Sequence, residues 1–260
     1  MRVLIIADME GVSGIEVAEA CSRRQPEYAA GVRMLAGEVN VLAWASFEAG
    51  ARTVSVIDWH AGGGNLSAEL LDERVPVIEE DLTVGYDVVL LSGFHPMRGD
   101  PKGFISHTMY GGITVEVDGR QVGELWLLSR WAGMHGVPVA LASGDQAAID
   151  EAARDLPGVP GVVVKTARSQ TVADVVPLPE AHRQLTEATR LALSIPDNWQ
   201  LFRVAEPIRF RLKLDPEPEL MGRVPALRRD AEGWLAGEVL DPRQLIELID
   251  SVAAMRVADR

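Results

Sequence analysis

The first fourteen residues, Met1-Arg-Val-Leu-Ile-Ile-Ala-Asp8-Met-Glu10-Gly-Val-Ser-Gly14, decide how the rest of the chain is read. Branched aliphatics from Val3 to Ile6 make a continuous apolar run, the pattern of a strand covered on both faces. The run stops at Asp8-Met9-Glu10-Gly11. On a continuing extended segment side chains alternate, so carboxylates at i and i+2 lie on one side. Two like charges that close are unfavourable unless a cation sits between them. Alone, the pair fits a solvated loop equally well, and the rest of the chain decides between the two readings.

Working outward, the same strand-then-ligand pattern recurs. Residues 26–49 read as a long helix, with Pro26 at a tolerated first position and Leu35, Val39, Leu42, Ala43 and Phe47 at helical spacing. Gly50 closes it. Residues 53–57 are strand-like and run into Asp58-Trp59-His60. Residues 66–86 are mixed and acidic, with a short helix expected over 68–73. Residues 87–92 are a further apolar run, ending in Gly93-Phe94-His95-Pro96. Strand–helix–strand alternation predicts an α/β fold, a mostly parallel sheet with helices on both faces. Ligands bind such sheets beyond the carboxyl ends of the strands. Three successive strands here end in candidate metal ligands: Asp8 with Glu10, then His60, then His95.

Ile113-Thr-Val-Glu-Val117 alternates with period two, Asp118-Gly119 supplies a turn, and Arg120 to Gly123 returns, which predicts a hairpin. A hairpin brings its flanks to one end, so His107 and Glu124 need not be far apart. Glu124 opens a helix carrying Leu125, Leu128 and Ala132 that stops at Gly136 before Pro138. A strand over 137–143, a helix to about 156 and a strand over 161–165 follow. Pro177 and Pro179 mark a boundary near residue 172. The expected organisation is an α/β metal-binding unit over 1–171 and a smaller C-terminal α+β unit over 172–260. The latter holds a helix at 180–193, strands at 208–214 and 234–239, and an amphipathic helix at 242–255.

Composition bounds the function. With 260 residues, 47% of them apolar and 24% charged, the chain suits one large domain or two unequal ones. A net charge of −13 and no basic cluster with interleaved aromatics argue against a nucleic-acid partner. Cys21 is the single cysteine, which excludes an intrachain disulfide, fits a reducing compartment and reads as an inert small residue. The N-terminal apolar run, about five residues long, is too short for a signal h-region or a membrane span. The protein therefore reads as cytoplasmic, with no membrane partner.

The candidates are Asp8, Glu10, His60, His95 and Glu124, with His107 close by. Three carboxylates and two imidazoles suit two divalent cations. About −3 from the acids against about +4 from two metals leaves a charge that one hydroxide cancels, and such sites lower the pKa of water to roughly 7. Asp58 fits either a supporting acceptor for His60 or a turn former. Gly62-Gly-Gly64 lacks a following Lys or a GxGxxG spacing, so it reads as a flexible loop. His135 and His182 read as surface residues, and Asp145 is left outside the site.

In order, Asp8-Met-Glu-Gly-Val-Ser-Gly14, Asp58-Trp-His60, Gly93-Phe-His95, Ser106-His-Thr-Met109 and Val122-Gly-Glu-Leu125 resemble the motifs of the D-aminopeptidase family, dinuclear zinc peptidases once labelled dipeptide transport proteins. The likeness covers about the first 170 residues. It implies two Zn2+ per subunit, with Asp8 bridging, Glu10 and His60 completing one ion, and His95 and Glu124 the other. It implies that His107 is not a ligand but assists catalysis. It also implies short peptide substrates with N-terminal D-residues and a ring-like homo-oligomer, a decamer with sites facing an inner chamber. The sequence departs from the family at Leu125-Trp-Leu-Leu128, where smaller, more polar residues are usual, and at Gln146 after Asp145. Trp126 and Trp131 are expected to narrow or reshape a substrate pocket. Rival readings are a two-metal amidohydrolase or phosphoesterase, and a non-catalytic peptide-binding protein. Only Arg98 and Lys102 lie near His95 in the chain to favour a phosphate.

Overall fold

In the computed structural model, which describes residues 1–79, 85–215 and 227–258, the chain builds two sheets. Its elements begin with β1 (Arg2–Ala7), α1 (Tyr28–Glu48), β2 (Thr53–Asp58), β3 (Val77–Ile78) and β4 (Val88–Phe94). The hairpin β5 (Ile113–Val117) and β6 (Arg120–Val122) leads into α2 (Glu124–Met134), β7 (Val139–Asp145), α3 (Gln146–Asp155), β8 (Gly161–Ala167) and β9 (Ala173–Val175). The last elements are α4 (Leu178–Ser194), β10 (Ile208–Leu214), β11 (Arg228–Arg229), β12 (Leu235–Val239) and α5 (Pro242–Ala258). The first sheet has the order β3-β2-β1-β4-β7-β8-β9 and is parallel except for β9. The second, β11-β12-β10-β5-β6, is antiparallel. Among the described residues no helix is long and apolar enough to cross a membrane.

The opening run is uninterrupted because β1 lies inside the first sheet, between β2 and β4, with both faces dry. Val3, Ile5 and Ala7 pack with Leu35, Val39 and Leu42 of α1 and Leu185 of α4. Leu4 and Ile6 pack the other way, in the core that includes Leu127 and Leu128 of α2 and Leu245 and Ile249 of α5. Burying each such side chain is worth about 1.5–3 kcal/mol, so a polar residue is excluded until the strand ends. Ala7 pairs with Asp58 on β2 and with Ser92 on β4, so the three chains leave the sheet side by side, at one edge.

Three expectations meet a different structure. Residues 68–73 form a turn, not a helix, because Asn40 and Trp44 of α1 capture their polar groups: Asn40 Nδ2 donates to Leu70 O, Asp72 N to Asn40 Oδ1, and Trp44 Nε1 to Asp72. The first helix starts at Tyr28, two residues beyond Pro26. Sheet membership also does not follow the chain at residue 172. Helix α4 packs on α1 against the first sheet, whereas the hairpin β5–β6 pairs through β5 with β10 in the second. β6 pairs with one edge of β5 and β10 with the other, while the apolar residues Ile113, Val115 and Val117 lie in one core with residues of α2 and α5.

Candidate metal centre

The six candidates meet at the carboxyl edge of the first sheet. Two glycines permit it: a Cβ on Gly11 would overlap the carbonyl of Phe94, and one on Gly93, where φ is +72°, would overlap that of Asp8. With both side chains absent, the ends of β1 and β4 touch, joined by Asp8 N to Ser92 O and Gly11 N to Gly93 O, each 2.8 Å. Asp8 Oδ2 thereby lies 3.2 Å from His95 Nε2, and Asp8 Oδ1 3.5 Å from His60 Nδ1. Glu10 Oε2 is 2.9 Å from His60 Nδ1, and Glu124 Oε1 is 3.3 Å from His95 Nε2. His107 Nε2 stands 3.9 Å from Glu10 Oε1 and 4.0 Å from Glu124 Oε1, its ring stacked on His95 with centroids 3.9 Å apart.

Three backbone carbonyls choose the imidazole tautomers. His60 Nε2 donates to Cys21 O at 2.9 Å, His95 Nδ1 to Pro96 O at 3.0 Å, and His107 Nδ1 to Ile105 O at 2.8 Å. In each ring the other nitrogen is left facing the carboxylates, the arrangement that metal-ligating histidines adopt. The residues Ala61, Ile105 and Met109, all non-glycine, have φ of +51°, +51° and +61°. They flank His60 and His107, where strain concentrates in functional loops.

The donor set fits cations. Asp8 Oδ2 and His95 Nε2 are buried, face each other and form no hydrogen bond. Either a proton shared between them or a cation bonded to both, at about 2 Å from each, would satisfy the pair. Three clusters have ligand atoms within 4.8 Å of one another: Asp8–Glu10–His60, Asp8–His95–Glu124 and Glu10–His95–His107. Without metal the charges balance by protons. Burial disfavours an imidazolium at His60, but Glu10 and Asp8 outweigh it and push its pKa up to about 11. Burial likewise opposes charge on His95, and Glu124 and Asp8 raise its pKa well above the usual value. Burial would raise the carboxyls; the imidazoles instead hold Glu124 at about 2 and Asp8 lower still.

Neighbouring carboxylates raise both imidazole pKa values in the metal-free site, and an imidazole must be neutral to ligate, so metal loading should release protons. Apparent zinc affinity should then rise with pH, because the metal-free state holds the extra protons. Zinc titration in weak buffer with a pH indicator measures this; fewer than one proton released for two ions bound contradicts it.

Several residues outside the candidate set hold it in place. Glu38, on α1 and wholly buried, accepts Ser13 N at 2.7 Å, Ser92 Oγ at 2.9 Å and Ser143 Oγ at 3.0 Å, tying the loop after β1 to β4 and β7 beneath the site. Its signal was its place on the apolar stripe, three residues after Leu35 and four before Leu42. Lys165 is buried and donates to Glu10 O at 2.7 Å and Ile15 O at 2.8 Å; burial lowers its pKa to about 8. It is a buried basic residue directly behind Glu10, and no spacing pointed to it. Glu151 accepts Met97 N at 2.6 Å behind His95, and burial lifts its carboxyl to about 7. Asp145 caps α3 through Ala148 N and holds Phe104 N. Asp58 does not touch His60; it receives Asn65 N and Leu66 N and so closes the Gly62–Gly64 loop, which Arg23 pins through Gly63 O. Trp126 and Trp131 are core residues. They are buried on α2, which is covered along its length, with Trp131 against Trp59 and Trp126 under the Arg130 guanidinium.

Comparison with known proteins agrees with this geometry. A family model described as D-aminopeptidase, peptidase M55, matches residues 1–249. A D-aminopeptidase of Bacillus subtilis (strain 168) is 31% identical over 207 residues, 76% of this chain and 75% of that protein. Among solved structures, a Bacillus subtilis protein described as a zinc-dependent D-aminopeptidase and self-compartmentalizing protease superposes with a TM-score of 0.90 at 24% identity, covering 98% of each chain, which shows a shared fold. With its strand ends converging on acids and imidazoles, the chain belongs to the D-aminopeptidase family of peptidases, M55.

Proposed function

We propose that the protein is a metal-dependent aminopeptidase that hydrolyses short peptides with N-terminal D-residues and holds two zinc ions per subunit. Asp8 would be shared by the two positions, Glu10 and His60 would complete one, and His95 and Glu124 would complete the other. The observation that carries this reading is the unbonded, buried pair Asp8 Oδ2 and His95 Nε2 at 3.2 Å. Bound there, two cations would polarise the scissile carbonyl and lower the pKa of a water to roughly 7. His107 does the proton work. With Nδ1 committed to Ile105 O, its Nε2 is the nitrogen that accepts a proton as water attacks and returns it to the leaving amine. Its side chain is 20% exposed, whereas the ligand side chains around it are nearly closed to solvent, so it is the group a substrate meets. The relatives' descriptions support the zinc and the D-residue preference, and the self-compartmentalizing relative supports a closed homo-oligomer, for which the family resemblance implies a ring of ten. The acidic composition and single cysteine support a cytoplasmic location.

Zinc analysis combined with hydrolysis of D-Ala and L-Ala anilides, beside phosphodiesters, tests the proposal. Turnover of the D-anilide should vanish with a chelator and return with zinc. Preference for a phosphodiester, or no metal-restored turnover, overturns it. Light scattering of the same preparation should give roughly ten times the 28.2 kDa chain mass, and a monomer mass overturns the ring.

A further inference from the structure

We infer that Trp59 is a positioning residue that fixes which oxygen of Glu124 faces the metal position and spaces the two half-sites; this rests on the zinc reading above. Trp59 Nε1 donates to Glu124 Oε2 at 2.6 Å, and both side chains are buried. Glu124 Oε1 meanwhile accepts Met109 N at 2.7 Å and looks toward His95 Nε2. A carboxylate has two oxygens to offer. With Oε2 committed to the indole, Oε1 is the oxygen left toward Asp8 and His95.

The reach of the ring matters as much as its N–H. Trp59 directly precedes His60 and is bound to the sheet edge through its own N–H to Ala7 O at 2.9 Å. Its ring packs on Trp131 at 6.4 Å between centroids. Trp131 lies seven residues after Glu124 on α2, two helical turns along the same face. One rigid side chain therefore spans that face and ties the strand carrying His60 to the helix carrying Glu124. Those two residues belong to different clusters, Asp8–Glu10–His60 and Asp8–His95–Glu124.

Two variants separate this role from plain core packing. Trp59→Phe keeps an aromatic ring but deletes the donor. Benzothienylalanine incorporated at position 59 keeps the indole shape and puts sulfur where Nε1–H was. Apo protein is titrated with zinc against a chelator of known affinity, and thermal unfolding is recorded in parallel. Both variants should weaken one of the two binding steps by roughly 10- to 100-fold, the usual cost of losing a partner behind a metal ligand. The other step should be unchanged, and the benzothienyl protein should melt with the parent. If the parent binds two ions and both steps are unchanged, or fall equally, in the benzothienyl protein, the inference is overturned. If the parent binds no zinc, the underlying reading itself fails.

Discussion

Replacing Asp8 with asparagine is expected to empty both zinc positions and to cut turnover by at least about 10³-fold. Asp8 is the one side chain common to the Asp8–Glu10–His60 and Asp8–His95–Glu124 clusters, and each of its oxygens faces a different imidazole. Asparagine keeps the size of the side chain. It also deletes one of three negative charges and turns amide hydrogens toward an imidazole. Losing a single oxyanion-hole donor already costs about 10²–10³ in rate, and losing both ions removes water activation as well. Zinc counted by mass spectrometry after gel filtration decides the matter, because a variant that retains two ions has no bridging Asp8. Glu10→Gln should be milder and keep one ion.

His107→Ala should show the opposite split: both ions retained, with kcat lower by about 10²-fold or more, the scale of lost acid–base help. The His107 ring is held by stacking on His95 and by Ile105 O, and its Nε2 is almost 4 Å from either carboxylate, farther than the His60 and His95 contacts. KM should change little, since no uniform binding contact is removed. His107 is also a member of the Glu10–His95–His107 cluster, so the opposite outcome has a definite meaning. Loss of an ion from this variant would make His107 a ligand.

The candidate site was legible because its members announce themselves locally. Asp8, His60 and His95 each interrupt an apolar run at the point where a parallel strand leaves the sheet, and Glu124 follows a hairpin turn at Asp118-Gly119 whose φ values are both positive. The helix expected over 68–73 failed for the converse reason. Its local pattern was acceptable, but Asn40 and Trp44, about thirty residues earlier, offered its polar groups better partners. Trp126 and Trp131 were misplaced because helical periodicity tells which residues share a face, not how many neighbours cover it. On α2 nearly every side is covered.

From the sequence alone came the parallel sheet, the order of its elements and the six side chains that converge, since periodicity and strand termini are properties of short segments. Tertiary structure alone decided what holds those six in register. Glu38 binds two strand ends and the loop after β1, Lys165 supports Glu10 across 155 positions, and Trp59 reaches Glu124 across 65. A buried polar group must find its partner wherever the packed chain presents one. That partner's distance along the sequence carries no periodic trace, so it becomes visible only when the strands are laid side by side.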